Sequence, residues 1–280
     1  MPGRKSKFDR FRAMHERAGA FVMPNAWDAG SAMILTILGY EAIATTSAGY
    51  AFSVGKRDSF AALTRDEVLA NAAAIAAATD LPVSADLEDG FGPAPETVAE
   101  TVIMAAERGL VGGAIEDATG DPDDPIHPFG LAVDRIRAAS EATRGRSFLL
   151  TARAENFLYG RPDLNDTIAR LQAFAEAGAD VLYAPGLPDL EAIRTVCREV
   201  DRPVNVVMGL SGPNHTVADL SGAGVGRIST GGSFARAALG ALIRAGREVM
   251  EAGTFTYASE AVPDAEVAAM MSQKRGGGRL

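Results

Sequence analysis

Two acids one residue apart, Asp86 and Glu88, run straight into a glycine-rich turn, Asp89-Gly90-Phe91-Gly92. A second acidic pair, Glu116-Asp117, ends another apolar run, and Arg153-Ala154-Glu155-Asn156 ends a third. On one β-strand, alternation turns Asp86 and Glu88 to the same face. Two carboxylates in one small volume are costly unless one takes a proton or a cation sits between them. Hard oxygen donors at this density suit Mg2+ or Mn2+, which makes Asp86, Glu88 and Glu116 candidate metal ligands. The plainer alternative is a set of surface acids or salt-bridge partners, and it weakens when neighbouring elements both end in acids. The planar fork of Arg153 suits two-point binding of a carboxylate or phosphonate; the competing reading is an ion pair with Glu155 or Glu116. Thr45, Thr46, Ser47 and Gly49 add hydroxyls and backbone N–H groups that could bind an oxyanion.

These residues need elements to hold them. Eight short apolar runs lie at 20–26, 41–47, 82–88, 112–117, 147–155, 180–186, 203–209 and 226–232. They are mostly continuous rather than alternating, as in strands buried on both faces of a parallel sheet. Helical patterns fill the gaps at 63–79, 95–109, 131–143, 163–178 and 190–200. Thr64 and Glu67 form a capping box, and Gly109 and Gly178 stand at helix C-caps. Sustained β/α alternation in a chain of 280 residues gives a single (β/α)8 TIM barrel, with an open doubly wound sheet as competitor. Extra N- and C-terminal helices flank it, and residues 253–280 form a helical appendage able to pack on a neighbouring subunit. Residues 1–12 and the tail from Gln273 read as mobile. In such barrels the site lies at the C-terminal ends of the strands, where the acids fall.

A net charge of −9 argues against nucleic acid. The single cysteine excludes an intrachain disulfide and points to the cytoplasm. No apolar run reaches the roughly 18–20 residues that span a bilayer.

Taken in order, Pro24–Ala32, Val54–Ser59, Ser84–Gly92, Ala114–Asp117 and Thr151–Phe157 resemble the isocitrate lyase/phosphoenolpyruvate mutase superfamily. The resemblance runs from about residue 15 to 250. It implies that Asp86 and Glu88 stand for the acids of a D-x-D metal motif, with Glu116 in the outer metal shell. It also implies a loop acid, Asp58, a substrate arginine, Arg153, and substrate contacts from Thr46, Ser47, Asn205 and Arg236. The shared chemistry is a bond made or broken beside an α-keto or α-hydroxy carboxylate, through an enolate held by Mg2+. That implies a small carboxylate or phosphonate substrate and a homotetramer. The family's lyase loop K-[KR]-C-G-H is missing; residues 117–130 read DATGDPDDPIHPFG, and Cys197 sits in an outer helix. Ala44 replaces the tryptophan of some mutases, and residues 184–189 lack the lyases' glutamate. His127 in that loop, and His215 further on, are the candidate acids or bases. The expected function is a C–C lyase or decarboxylase, with a P–C bond enzyme or a non-catalytic metabolite-binding barrel as alternatives.

Overall fold

The first apolar run is interrupted at Pro24, which has no backbone N–H to donate. In the computed structural model, which describes residues 3–210, 212 and 214–272, the strand divides there into β1 (Phe21–Met23) and β2 (Asn25–Ala26). The remaining strands follow the predicted runs: β3 (Ile43–Thr45), β4 (Val83–Asp86), β5 (Gly112–Glu116), β6 (Leu149–Arg153), β7 (Val181–Tyr183), β8 (Val204–Val207) and β9 (Arg227–Ser229). Every neighbouring pair is parallel, and the halves of the split strand pair with opposite ends of the sheet, β1 with β9 and β2 with β3. The result is an eight-fold barrel whose seam is the split strand.

One side chain closes that seam. Asn25 Oδ1 accepts the backbone N–H groups of Thr230 at 3.0 Å and Gly231 at 2.9 Å, while its Nδ2 donates to the Thr45 carbonyl at 2.7 Å. The amide thus replaces ladder bonds that the Pro24 break removes.

The helices are α1 (Arg4–Glu16), α2 (Ala29–Ile37), α3 (Ser47–Ser53), α4 (Arg65–Ala78), α5 (Pro95–Glu107), α6 (Phe129–Thr143), α7 (Leu164–Glu176), α8 (Leu190–Glu199), α9 (Val217–Gly222), α10 (Ser233–Ala252) and α11 (Asp264–Ser272). The Thr64–Glu67 capping box opens α4. Gly109 and Gly178 follow α5 and α7 with φ of +88° and +104°, a conformation in which a Cβ is strained. Most of the core lies between the outer face of the barrel and these helices.

Of residues 1–12, expected to be mobile, residues 1 and 2 lie outside the described residues and the rest are ordered. Arg4–Glu16 is a helix, and Phe11 on it is fully buried. With Met14 it packs on Phe21, Val111 and Leu149 at the N-terminal ends of the strands, plugging the bottom of the barrel. Gly112 makes room for it, since a Cβ there would lie 3.0 Å from the Phe11 ring. Of the basic residues that suggested mobility, Lys7 and Arg10 tie the helix down by donating to the carbonyls of Thr79 and Asp80 at 2.7 and 2.6 Å. The tail 273–280 lies outside the described residues. Beyond the barrel, α10 ends at Gly253 in the left-handed region and α11 folds back against α2 of its own chain. No helix among the described residues is long and apolar enough to cross a membrane.

Phe11→Ala should destabilise the protein by about 3–5 kcal/mol, the usual cost of deleting a buried aromatic ring. Urea unfolding checks this; a loss below about 1 kcal/mol would mean that α1 is not part of the cooperative core.

Candidate active site

Barrel register brings the charged side chains together. Glu116 lies opposite Arg153 across β5 and β6, Arg153 opposite Tyr183, Tyr183 opposite Asn205, and Asn205 opposite Arg227. Arg153 donates from Nε to Glu155 at 2.7 Å, while its Nη1 forms an ion pair with Glu116 at 2.7 Å and stands 3.5 Å from Asp86 Oδ1. Its guanidinium lies over the Tyr183 ring, 4.9 Å from the centroid. Asp86 is held from the other side by Ser47, whose N and Oγ donate to Oδ2 at 3.0 and 2.9 Å. These groups border a cavity of about 430 Å3 at the C-terminal mouth of the barrel.

Glu88 also lines this cavity, though not by strand alternation. β4 ends at Asp86, and Glu88 and Phe91 adopt left-handed φ angles of 49° and 65°. Such angles cost a non-glycine residue on the order of 1 kcal/mol each. Arg135, fully buried on α6, secures the turn by donating to the carbonyls of Asp89 and Gly92.

The other predicted residues divide. Asp58, Thr46, Ser47, Asn205 and His215 line the cavity; His127 and Arg236 do not. The Thr46 hydroxyl caps α3 by accepting from Gly49 N, and the Ser47 N–H is already committed to Asp86. Arg236 lies on the exposed face of α10. His127 is buried beneath a hairpin made by the loop after β5, in which Ala118 bridges Ile126. Its Nε2 has no partner, and burial, then Arg135, lowers its pKa to about 4. Asp117 is taken up by the Glu155 N–H and by Arg170. Cys197 is half-buried on α8 with its thiol pushed up to about 11 by burial, which rules it out as a ready thiolate. Sequence reasoning passed over Tyr159, Tyr183, Arg227 and Ser229, all on the cavity wall. For Tyr183 and Ser229 the signal was available as period-two alternation along short strands.

A family model described as phosphoenolpyruvate phosphomutase matches residues 11–250. This chain belongs to the phosphoenolpyruvate mutase family. The crystal structure of a candidate lyase/mutase from Burkholderia cenocepacia J2315 is 53% identical, with a TM-score of 0.94 over 97% of this chain and 98% of that one. The 2-methylisocitrate lyase of Escherichia coli K12 is 31% identical over 201 residues, 69% of this chain and 67% of its own. An oxaloacetate decarboxylase of Pseudomonas putida GB-1 is 29% identical over 202 residues, 70% of this chain and 68% of its own. Its relatives are thus lyases, decarboxylases and mutases.

Within this family member the mouth gathers more carboxyl groups around Arg153 than one guanidinium can neutralise. Arg153 stays cationic because Glu116 and Glu155 outweigh the cost of its burial. Burial first, and then neighbouring acids, raise Glu116 against the pull of Arg153. Burial, Asp86, Asp89 and Asp58 push Glu88 up to about 8, and burial and Asp86 raise Asp58. Among the described residues no three acids or imidazoles converge closely enough to hold an ion as they stand, because Arg153 fills the space between Asp86 and Glu116. The donor set still fits a hard divalent cation in its chemistry: all oxygens, and an excess of charge that such an ion would relieve.

Arg153→Met should cost about 3–5 kcal/mol of stability in metal-free buffer at pH 8, by leaving buried acids without their cation. The loss should shrink at pH 6. Carboxyls raised in the folded state bind more protons folded than unfolded, so stability rises as pH falls. Equal losses at both pH values by urea unfolding would sink this electrostatic account.

Proposed function

We propose that this protein is a lyase that cleaves or decarboxylates a small α-keto or α-hydroxy carboxylate through an enolate, with Mg2+ or Mn2+ bound. The observation that carries the reading is the crowding of Asp58, Asp86, Glu88 and Glu116 around Arg153 in a cavity of about 430 Å3, sized for a small acid. Asp86 would hold the metal, with Glu88 and Glu116 behind it. When bound, the ion supplies Lewis-acid neutralisation of the developing oxyanion.

The chain's own residues do the rest. Arg153 Nη2 donates to no group among the described residues, so it is open to a substrate oxygen. Fixed by Glu116, Glu155 and the Tyr183 ring, it holds positive charge where the enolate forms, with little reorganisation. Asn205 and Ser229 face it from the wall of β8 and β9 and receive the other end of the substrate. His215 lines the cavity with an unpartnered Nε2 and is the proton carrier to the enolate carbon. Two loops beside the mouth meet. Phe60, after α3, lies against Gly120 of the 118–126 hairpin so tightly that a Cβ there would sit 2.1 Å from its ring. His127 serves under that hairpin rather than in the reaction.

The relatives' lyase and decarboxylase chemistry supports this reading, and the missing loop cysteine favours decarboxylation, which needs less acid assistance than aldol-type cleavage. The hydroxyl-bearing wall at Ser229 favours a second reading, a P–C bond enzyme acting on a phosphonate. Turnover of oxaloacetate, 2-methylisocitrate and phosphonopyruvate, each with and without Mg2+, decides between them. Asp86→Ala should abolish Mg2+-dependent turnover and weaken Mg2+ binding in calorimetry; an unchanged Mg2+ affinity would overturn the ligand assignment. Metal binding with no turnover of any substrate would leave a metabolite-binding barrel.

The same reading includes a homotetramer. Of the twenty residues of α10 only Ala235 is buried, while Leu242, Ile243 and Met250 are exposed, as are Phe255 and Val262 beyond it. Exposed large apolar side chains concentrated on one terminal segment favour a protein contact, and a second copy of the chain is the partner assigned here. Sedimentation at micromolar concentration should show a tetramer; a monomer would count against the assembly.

A further inference from the structure

Below the acid cluster lies a second buried arginine with different partners. Arg227, 3% exposed on β9, donates from Nε to Asn205 Oδ1 at 2.8 Å, from Nη2 to Thr151 Oγ1 at 3.1 Å and towards His15 Nε2 at 3.3 Å. None of these acceptors is a carboxylate. His15 Nδ1 lies 2.8 Å from the Phe11 carbonyl and must carry the proton there, which leaves Nε2 as a lone pair for Arg227.

A guanidinium has donors and no acceptor, so the atom of Asn205 that faces it must be the oxygen. That fixes the amide: Asn205 Nδ2 points the other way and donates to Ser229 Oγ at 3.0 Å. Ser229 Oγ, already accepting, keeps its own hydrogen, and among the described residues no protein group accepts it. Nor does any accept the second hydrogen of Asn205 Nδ2. Both residues line the cavity. The polarity set by Arg227 is therefore passed through Asn205 to Ser229 and emerges as two donors. A reversed amide would present its oxygen to Ser229, whose hydroxyl would turn to it and leave the cavity.

We infer that Arg227 is a positioning residue that fixes the direction of the Asn205 amide, so that Asn205 and Ser229 present donors to an oxyanion, carboxylate or phosphonate, of the substrate. This rests on the functional reading above, in which that wall receives the substrate's second end. Arg227 is the residue that makes the wall a donor surface and not an acceptor surface.

A double-mutant cycle tests it, using oxalate as the probe and calorimetry in the presence of Mg2+, with a thermal midpoint recorded for each variant. A hydrogen bond to a charged group is worth about 1.5–3 kcal/mol, so Ser229→Ala should weaken oxalate binding roughly 10- to 150-fold. Arg227→Met should weaken it at least as much, and adding Ser229→Ala to it should cost no more than about twofold, because the donor is already turned away. Arg227→Lys, still donor-only, should restore most of the affinity. Where Arg227→Met fails to fold, Asn205→Asp carries the test: its carboxylate pairs with Arg227 and captures the Ser229 hydroxyl, and affinity should fall at least tenfold in a folded protein. Full additivity of the cycle, or unchanged affinity in Asn205→Asp, overturns the inference alone. Failure of the wild type to bind oxalate overturns the functional reading and the inference with it.

Discussion

One guanidinium holds the mouth of this barrel together. Arg153 bonds Glu116 on the neighbouring strand and Glu155 two residues on in the chain, reaches towards Asp86, and rests on Tyr183. Without a cation those carboxylates could not share so small a volume at neutral pH. A lysine would offer charge but no fork, and could not keep two acids in fixed directions while leaving one nitrogen open.

The two buried arginines divide the interior by charge. Arg153 lies among acids and is largely neutralised; Arg227 lies among neutral acceptors and keeps its charge below them. Burial lowers Arg227 to about 9, which still leaves it cationic at pH 7. The cavity therefore has an acid side suited to a cation and a donor side suited to an anion, with Tyr183 between Arg153 and Asn205.

Much of this was legible in the sequence. The strands announced themselves because both of their faces are buried, and the acids stood out because charge at the end of an apolar run is uncommon. What was hidden had physical reasons. In α1 the spacing of Phe8, Phe11 and Met14 marks one helical face, but the surrounding Lys and Arg residues masked it. Glu88 was assigned by alternation to a strand that stops two residues earlier, because a left-handed turn cannot be read from residue type when the residue is not glycine. His127 and Arg236 occupy plausible places in the chain, yet one is turned under a hairpin and the other outward on a helix. Arg227 escaped notice because it stands at the start of a strand, where a charge ordinarily meets solvent; only α1, sealing that end, makes it interior.

The seam at Pro24 has a bearing on how the molecule is made. Asn25 clasps Thr230, a residue 205 positions away. At about 5–20 residues per second, the ribosome delivers that partner on the order of 10–40 s after Asn25 emerges. A sheet formed before that partner arrives lacks its last strand and has a free edge, the geometry most prone to pairing with another chain. The proline that weakens the seam in the finished barrel also blunts that edge: it interrupts the row of N–H groups a stray strand would need. The same split that blunts an open edge is closed in the finished barrel by the asparagine beside it, which supplies the lost bonds once the last strand is in place.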